Sequence, residues 1–194
     1  MYLRFGKRVC DIVIGLIALP FVLIIVAICA PLIYFEDKGP IFYNAPRVGK
    51  DGRDFTMYKL RSMKVNAPDL VMEDGSTYNG ADDPRMTRIG AFMRKASIDE
   101  MPQFINVLKG DMSVVGPRPD LRRETELYES VAGEKLLVKR GITGYAAVYG
   151  RNSLPWRDRL KLDVYYVRHV SFALDVKVFF RTFYVIFKQD GVYV

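Results

Sequence analysis

Asp99 and Glu100 stand side by side at the start of an apolar helical pattern formed by Phe104, Ile105, Val107 and Leu108. Arg85, Arg88, Arg94 and Lys95 crowd their upstream side, and downstream Gly116-Pro117-Arg118-Pro119 fixes one guanidinium between two prolines. Carboxylates ringed by cations fit phosphate chemistry. An ionised Asp99 can attack a phosphorus and form an acyl phosphate, and Glu100 can handle a proton in the second half of such a reaction. Arg118 offers the forked donor geometry that phosphate accepts. A diphosphate substrate would call for a divalent cation to mask its charge. Mg²⁺ binds through one or two carboxylates plus phosphates, with Asp99 as the expected ligand here. The plainer reading is local: Ser97-Ile-Asp-Glu100 matches a capping box. Pro102 favours Asp99 over Ser97 as the cap, because it then falls in the first turn. On either reading the positive end of the helix favours an ionised carboxylate.

These groups need a scaffold, and the chain opens with an unusual one. Ile12 to Phe35 is an uncharged run of 24 residues, preceded by Arg4, Lys7, Arg8 and Asp11. About 20 apolar residues cross a bilayer core, so the run is long enough to span; it is too long for a typical signal peptide. Pro20 and Pro31 lie inside or near its end, and an interior proline kinks a helix. Split at Pro20, the arms reach about 13 and 22 Å, so a bent pair could enter and leave by one face. Positive charge flanks both ends, with Lys38, Arg47, Lys50 and Arg53 following, as it would if both were cytoplasmic. The residues alone leave spanning and re-entrant paths open.

Glu36 to Pro40 reads as a turn, and Ile41-Phe-Tyr, Asp51-Gly52 and Phe55 to Leu60 as strand, turn, strand. Lys59 and Arg61 leave this second strand on one face. Lys64 to Pro84 reads as a loop or short helix, in which Asp82 and Asp83 form a turn more simply than a metal site. A short basic helix is expected from Arg88 to Arg94, and a mixed-charge helix from Leu121 to Arg140. Gly141 to Arg151 is glycine-punctuated and has the look of a substrate-facing loop, without a P-loop or dinucleotide pattern. Trp156 to His169 reads as helical. Ser171 to Lys188 carries a wide aromatic face with a stripe of Lys177, Arg181 and Lys188, suited to a helix lying in a membrane interface.

The composition sets the outer bounds. The 194 residues suit one domain with a sizeable core, and half of them are hydrophobic. A net charge of +7 points to anionic partners. Nucleic acid is disfavoured, because the basic residues form no recognisable module and flank apolar segments. Cys10 and Cys29 fit reduced, structural thiols in a cytosol-facing protein, and a single histidine, His169, gives no metal-binding spacing.

Taken together, these stretches resemble the small monotopic phosphoglycosyl transferases of the bacterial sugar transferase family. The likeness runs over about residues 1 to 188. It includes Lys7-Arg8 and Asp11 before the proline-broken run, Tyr58-Lys59-Leu60-Arg61-Ser62-Met63, and Asp83-Pro84-Arg85 to Gly90. It continues through Arg94 to Gln103 and Asn106 to Pro119, then Gly141-Ile-Thr-Gly144, Gly150-Arg151-Asn152 and Asp163-Val-Tyr-Tyr-Val. The resemblance implies an α+β, mostly helical fold. A re-entrant helix-break-helix over 1–36, broken at Pro20 and anchored by Lys7, Arg8 and Asp11, would precede a catalytic domain over 37–194. A small β-hairpin and interfacial amphipathic helices would complete that domain. It implies that Asp99 attacks the sugar-side phosphorus of a UDP-sugar, releasing UMP. Undecaprenyl phosphate would then take the phosphosugar from Asp99, with Glu100 as the second dyad member and Mg²⁺ assisting. Lys59, Arg61, Arg94, Arg118 and Arg151 are the substrate-binding cations so implied. Placement on an anionic membrane surface, at the cytoplasmic face of a bacterial inner membrane, follows from it, with a homodimer left open. Leu19, Arg140, Tyr145, Ala147, Tyr149 and the position of Glu124 depart from the family pattern and bear on sugar choice and loop geometry. The competing expectation is a catalytically silent, membrane-anchored module that binds nucleotide-sugars or anionic lipid by charge.

Overall fold

The computed structural model describes residues 2–72, 77–78, 80, 82–150 and 154–188. It is mostly helical, as expected, but has two small sheets where the sequence predicts one hairpin. After a π-helical turn at Tyr2–Gly6, helix α1 runs over Lys7–Asp37. Hairpin strands β1 (Ala45–Val48) and β2 (Asp54–Met57) follow, then helices α2 (Arg88–Lys95) and α3 (Gln103–Lys109). Strand β3 (Met112–Val115), helix α4 (Arg122–Ala132) and strand β4 (Arg140–Thr143) form a crossover unit. Helices α5 (Tyr145–Tyr149), α6 (Trp156–Arg168) and α7 (Phe172–Lys188) complete the chain.

α1 differs from the helix-break-helix expectation. It is helical without interruption through Pro20 and Pro31, 31 residues in all, or about 46 Å at 1.5 Å per residue. Each proline removes one N–H, yet the surrounding turns keep their bonds. The reason to stay helical lies on one face. Lys7, Asp11, Gly15, Val22, Cys29 and Ile33 are buried at spacings of four or seven, a single stripe at the helical period. Leu16, Ile17, Phe21, Leu23, Ile24, Ile28 and Phe35, off that stripe, remain exposed. The protein therefore docks along the whole helix and leaves most of its circumference bare and apolar. By length and composition α1 is able to cross a membrane.

Two of the expected anchor residues at the start of α1, Lys7 and Asp11, turn inward. β3 pairs with β4 in parallel, Met112 opposite Arg140 and Val115 opposite Thr143, which leaves its other edge open. Asp11 and Lys7 fill that edge. Asp11 Oδ1 accepts from Val114 N at 2.8 Å and from Ser113 Oγ at 2.9 Å, while Lys7 Nζ donates to Val115 O at 2.8 Å. One helical turn thus acts as a third strand, satisfying backbone groups that burial would otherwise orphan. Arg8 donates to Val107 O and Leu108 O at 2.5 and 2.8 Å, capping the C-terminal end of α3. Gly15 lets α1 and α3 touch: a Cβ there would lie 2.8 Å from Leu108 Cδ2.

The other end of α1 is fastened by Arg61, which is buried. It donates to Asp37 Oδ2 and Pro40 O, both at 2.6 Å, and to Met63 O at 3.2 Å. Glu36 caps α2, accepting from Arg88 N at 2.6 Å and Ile89 N at 3.0 Å. Gly90 is required by close approach, since a Cβ would fall 1.9 Å from Ser62 O.

The hairpin is shorter than expected, with Asp51 and Gly52 both at positive φ in its turn. Its pairing resumes beyond a break, through Tyr43 N to Lys59 O and Arg61 N to Ile41 O, both 2.8 Å. The buried Asn106 holds that break against α3: its Oδ1 accepts from Tyr58 N at 2.9 Å and its Nδ2 donates to Thr56 O at 2.7 Å. The described part of 64–84 contains no helix. The expected helix to Arg140 stops at α4 and a 3-10 turn, because Arg140 belongs to β4 and is fully buried. It donates to Val48 O at 3.0 Å and Lys135 O at 2.7 Å.

Gly141 to Gly150 forms strand β4 and helix α5 rather than a loop. Gly141 and Gly144 let β4 lie against the hook backbone, where added Cβ atoms would both fall 2.2 Å from Gly116 atoms. α6 and α7 form where expected, and Phe172, Phe180, Phe183, Tyr184 and Phe187 of α7 are exposed. Its cationic stripe is partly turned inward, with Arg181 donating to Val148 O at 3.1 Å and lying 4.2 Å from the Tyr149 ring centroid.

Candidate active site

The backbone brings Asp99 and Lys59 together before any side chain does. Leu60 N donates to Asp99 O at 2.9 Å, so the extended stretch after β2 is stitched to the 3-10 turn Ile98–Glu100. Ser97 enters that turn with φ 55° and makes no side-chain cap, and α3 begins only at Gln103 with Pro102 before it. Neither capping expectation holds: Asp99 and Glu100 are not spent on helix α3.

Asp99 is buried, 1% exposed, and its Oδ2 lies 2.8 Å from Lys59 Nζ. That oxygen receives no hydrogen bond of acceptable direction. Lys59 also lies 3.4 Å from Glu100 Oε1, and Arg118 Nη2 lies 3.3 Å from the same oxygen. The hook thus reaches the dyad as the sequence predicts, held by Gly116 N to Thr143 O at 2.8 Å and Gly141 N to Pro117 O at 2.9 Å. Behind it, buried Lys135 pairs with Asp120 at 2.7 Å and with Asp163 at 3.0 Å. Burial pushes the Asp163 carboxyl up, with Lys135 opposing.

Arg94 stands at the rim, with Nη2 3.5 Å from Ser62 Oγ and Nη1 4.0 Å from Asp83 Oδ2. Asp83 is a turn residue paired with Arg85 at 2.7 Å, which agrees with the structural reading of that aspartate. Arg61 is not brought to the dyad, since its donors are used at the end of α1. Arg151 lies outside the described residues. Pro20 and the anchor residues Lys7, Arg8 and Asp11 belong to α1 and its docking. Glu124 is used locally, accepting from Leu121 N at 3.0 Å and Thr77 Oγ1 at 3.0 Å.

Sequence reading missed Arg47. β1 reaches the hook through Val48 N to Asp120 O at 3.0 Å, and burial, with repulsion from Arg118 adding to it, lowers the Arg47 pKa. Nothing in the short pattern Ala-Pro-Arg-Val signals this proximity, which comes from pairing across 72 residues of sequence.

Burial pushes the Glu100 carboxyl up, but Arg118, Lys59 and Arg94 outweigh it and hold its pKa below the ordinary 4.5. A carboxyl depressed on folding adds stability above its unfolded pKa and loses it as pH falls through the folded value. Stability lost on acidification below 4.5 is therefore expected to be smaller in Glu100→Gln than in the parent, measured as melting temperature against pH. Equal acid sensitivity in both would contradict the depressed pKa.

Among the described residues no three His, Cys, Asp or Glu side chains converge as a metal cage. Two adjacent carboxylates, one with a buried oxygen that is ion-paired with Lys59 but accepts no aligned hydrogen bond, would suit a Mg²⁺ that completes its shell with substrate phosphates and water.

A shielded carboxylate dyad thus stands under three cations, in a chain whose α1 is long and apolar enough to cross a membrane. The chain belongs to the bacterial sugar transferase family, whose profile matches residues 2–189. It is 37% identical to the undecaprenyl-phosphate galactose phosphotransferase of Salmonella typhimurium, over 98% of this chain and 42% of that protein. It is 39% identical to the UDP-N-acetylgalactosamine-undecaprenyl-phosphate N-acetylgalactosaminephosphotransferase of Aeromonas hydrophila, over 92% of this chain and 43% of the relative. The exopolysaccharide production protein ExoY of Sinorhizobium fredii is 35% identical, over 97% of this chain and 88% of its own length. The chain thus spans about two fifths of the length of the first two relatives and most of the third.

Proposed function

We propose that this chain moves a phospho-sugar from a UDP-sugar to undecaprenyl phosphate for bacterial polysaccharide synthesis. The carrying observation is the buried Asp99 carboxylate beside Glu100, with Lys59 and Arg118 converging on the pair. The names of the Salmonella and Aeromonas relatives support the acceptor, and the latter supports a UDP-linked donor.

Asp99 attacks the sugar-side phosphorus, its carboxylate oxygen forms the new P–O bond, and the bond to UMP breaks. An oxygen of undecaprenyl phosphate then attacks the same phosphorus, giving undecaprenyl-diphospho-sugar and freeing Asp99. Lys59 shields Asp99 at rest. An incoming diphosphate draws it away, exposing the carboxylate where the charge arrives. Arg118 and Arg94 are placed to hold phosphate oxygens. As phosphates take up these cations, Glu100 loses the neighbours that depress its pKa and becomes a better proton acceptor for the second step. Asp99 would hold a Mg²⁺, which when bound would supply charge neutralisation on the diphosphate.

The test is UMP release by purified protein with Mg²⁺ across a panel of UDP-sugars, with and without undecaprenyl phosphate. Stoichiometric release without lipid and turnover with it are expected for one sugar. Absence of release with every sugar would favour the silent binding module.

We further propose a monotopic placement at the cytoplasmic face, with both ends of α1 on that side. Its buried stripe supports this: a spanning path would carry the docked domain, Lys7 and Asp11 included, into hydrocarbon. In a background of Cys10→Ser and Cys29→Ser, Leu3→Cys and Lys38→Cys are expected to react only with reagent on the cytosolic side. Reaction from opposite sides would sink the one-sided placement.

A further inference from the structure

α2 and α7, far apart in sequence, meet at their C-terminal ends around a concavity. Phe92, Lys95 and Ala96 form one wall and Ile186 and Phe187 the other, enclosing about 240 Å³. The space is smaller than the roughly 300–1,000 Å³ of clefts that bury drug-sized ligands, which suits one strand of an apolar chain better than a nucleotide. Its rims are bare, with Phe92 65% and Phe187 83% exposed. Two further features set it apart from the exposed aromatics Phe180 and Phe183. Lys95 stands in its wall. Ala96 is three residues from Asp99, which bounds their separation at about 11 Å. Arg94, adjacent to Lys95 in the chain, turns to the site rim at Ser62 and Asp83. An apolar trough that ends in cations beside a phosphate-handling carboxylate matches an amphiphile with a long hydrocarbon tail and a terminal phosphate.

We propose that this trough receives the isoprenoid chain of the acceptor lipid nearest its phosphate; this rests on the transfer reaction proposed above. Lys95 and Arg94 then meet the phosphate as it leaves the trough, and the chain's methyl-branched units lie between Phe92 and Phe187. The trough selects the acceptor and leaves the donor untouched.

The test compares the full chain with Ala96→Trp, which fills the trough, and Phe187→Ala, which removes a wall at an exposed position. Both are expected to raise KM for undecaprenyl phosphate by about tenfold, the cost of a few lost methylene contacts. The lipid-free burst of UMP, which reports the dyad and donor separately, is expected to change less than twofold. Ala96→Trp adds apolar surface, so weakened membrane binding cannot account for its effect. A photoreactive benzophenone side chain at position 187 is expected to crosslink undecaprenyl phosphate in the presence of excess phosphatidylglycerol vesicles. An unchanged acceptor KM with an intact burst in both variants would overturn the proposal. So would crosslinking abolished by phosphatidylglycerol, which would assign the trough to bulk lipid. Loss of the UMP burst in the unmodified chain would instead overturn the transfer reaction itself.

Discussion

Asp99→Asn is expected to lower phospho-sugar transfer by about four to six orders of magnitude, the usual cost of deleting a nucleophile that acts in concert with its neighbours. The substitution keeps the volume of a side chain only 1% exposed, and Lys59 retains Glu100 at 3.4 Å, so the fold should persist. Two readouts separate chemistry from binding. The lipid-free UMP burst should vanish, and the mass increment of a phosphosugar on the peptide bearing Asp99 should vanish with it. Glu100→Gln should behave differently, retaining the burst and slowing turnover by about 10². A full burst from Asp99→Asn would remove Asp99 as the nucleophile.

Lys7→Met is expected to produce a large loss of stability, about 3 kcal/mol or about 6–12 °C in melting temperature. The ammonium sits 2.5 Å from Asp175 Oδ2 with both side chains about nine-tenths buried. Tyr2 and Tyr166 hydroxyls reach the same carboxylate at 2.5 and 2.6 Å. Burial, with Asp175 adding to it, pushes both phenols well above their ordinary pKa, so they stay neutral donors. Removing Lys7 leaves Asp175 charged and buried with only these hydroxyls, and frees the Val115 carbonyl beside the hook. Lys7→Met combined with Asp175→Asn should recover more than half of the loss. A double variant no more stable than Lys7→Met would show that the backbone bond to Val115, rather than the ion pair, carries the energy.

Much of this arrangement was legible in the residues because local chemistry announced it. The acidic pair, the proline-flanked Arg118 and the amphipathic Phe172–Lys188 helix each follow from short patterns. What escaped depended on contacts between distant segments. Arg61 alternates with Lys59 along one strand, and only the docking of α1's end shows that its fork is committed to Asp37 and Pro40. Lys7 and Asp11 read as charges at a membrane boundary, because nothing in their neighbourhood reveals an open strand edge a hundred residues later. The glycines at 141 and 144 looked like loop punctuation; they are demanded by the Gly116 backbone pressed against them. Ser97 matched a capping box by spacing, yet its left-handed backbone turns the following carboxylates away from α3.

The strand edge supplied by α1 also fixes an order of events during synthesis. α1 is synthesised before the segments it docks on, but Asp11 meets Ser113 across 102 residues and Lys7 meets Asp175 across 168. Until β3 and then α7 have been made, its two buried charges have no partners, and closing contacts this distant is slow. The apolar face can settle at a lipid boundary early; the polar face must wait. Nascent chains halted before residue 175 would therefore hold α1 only loosely, and α7 acts as the latch that fastens α1.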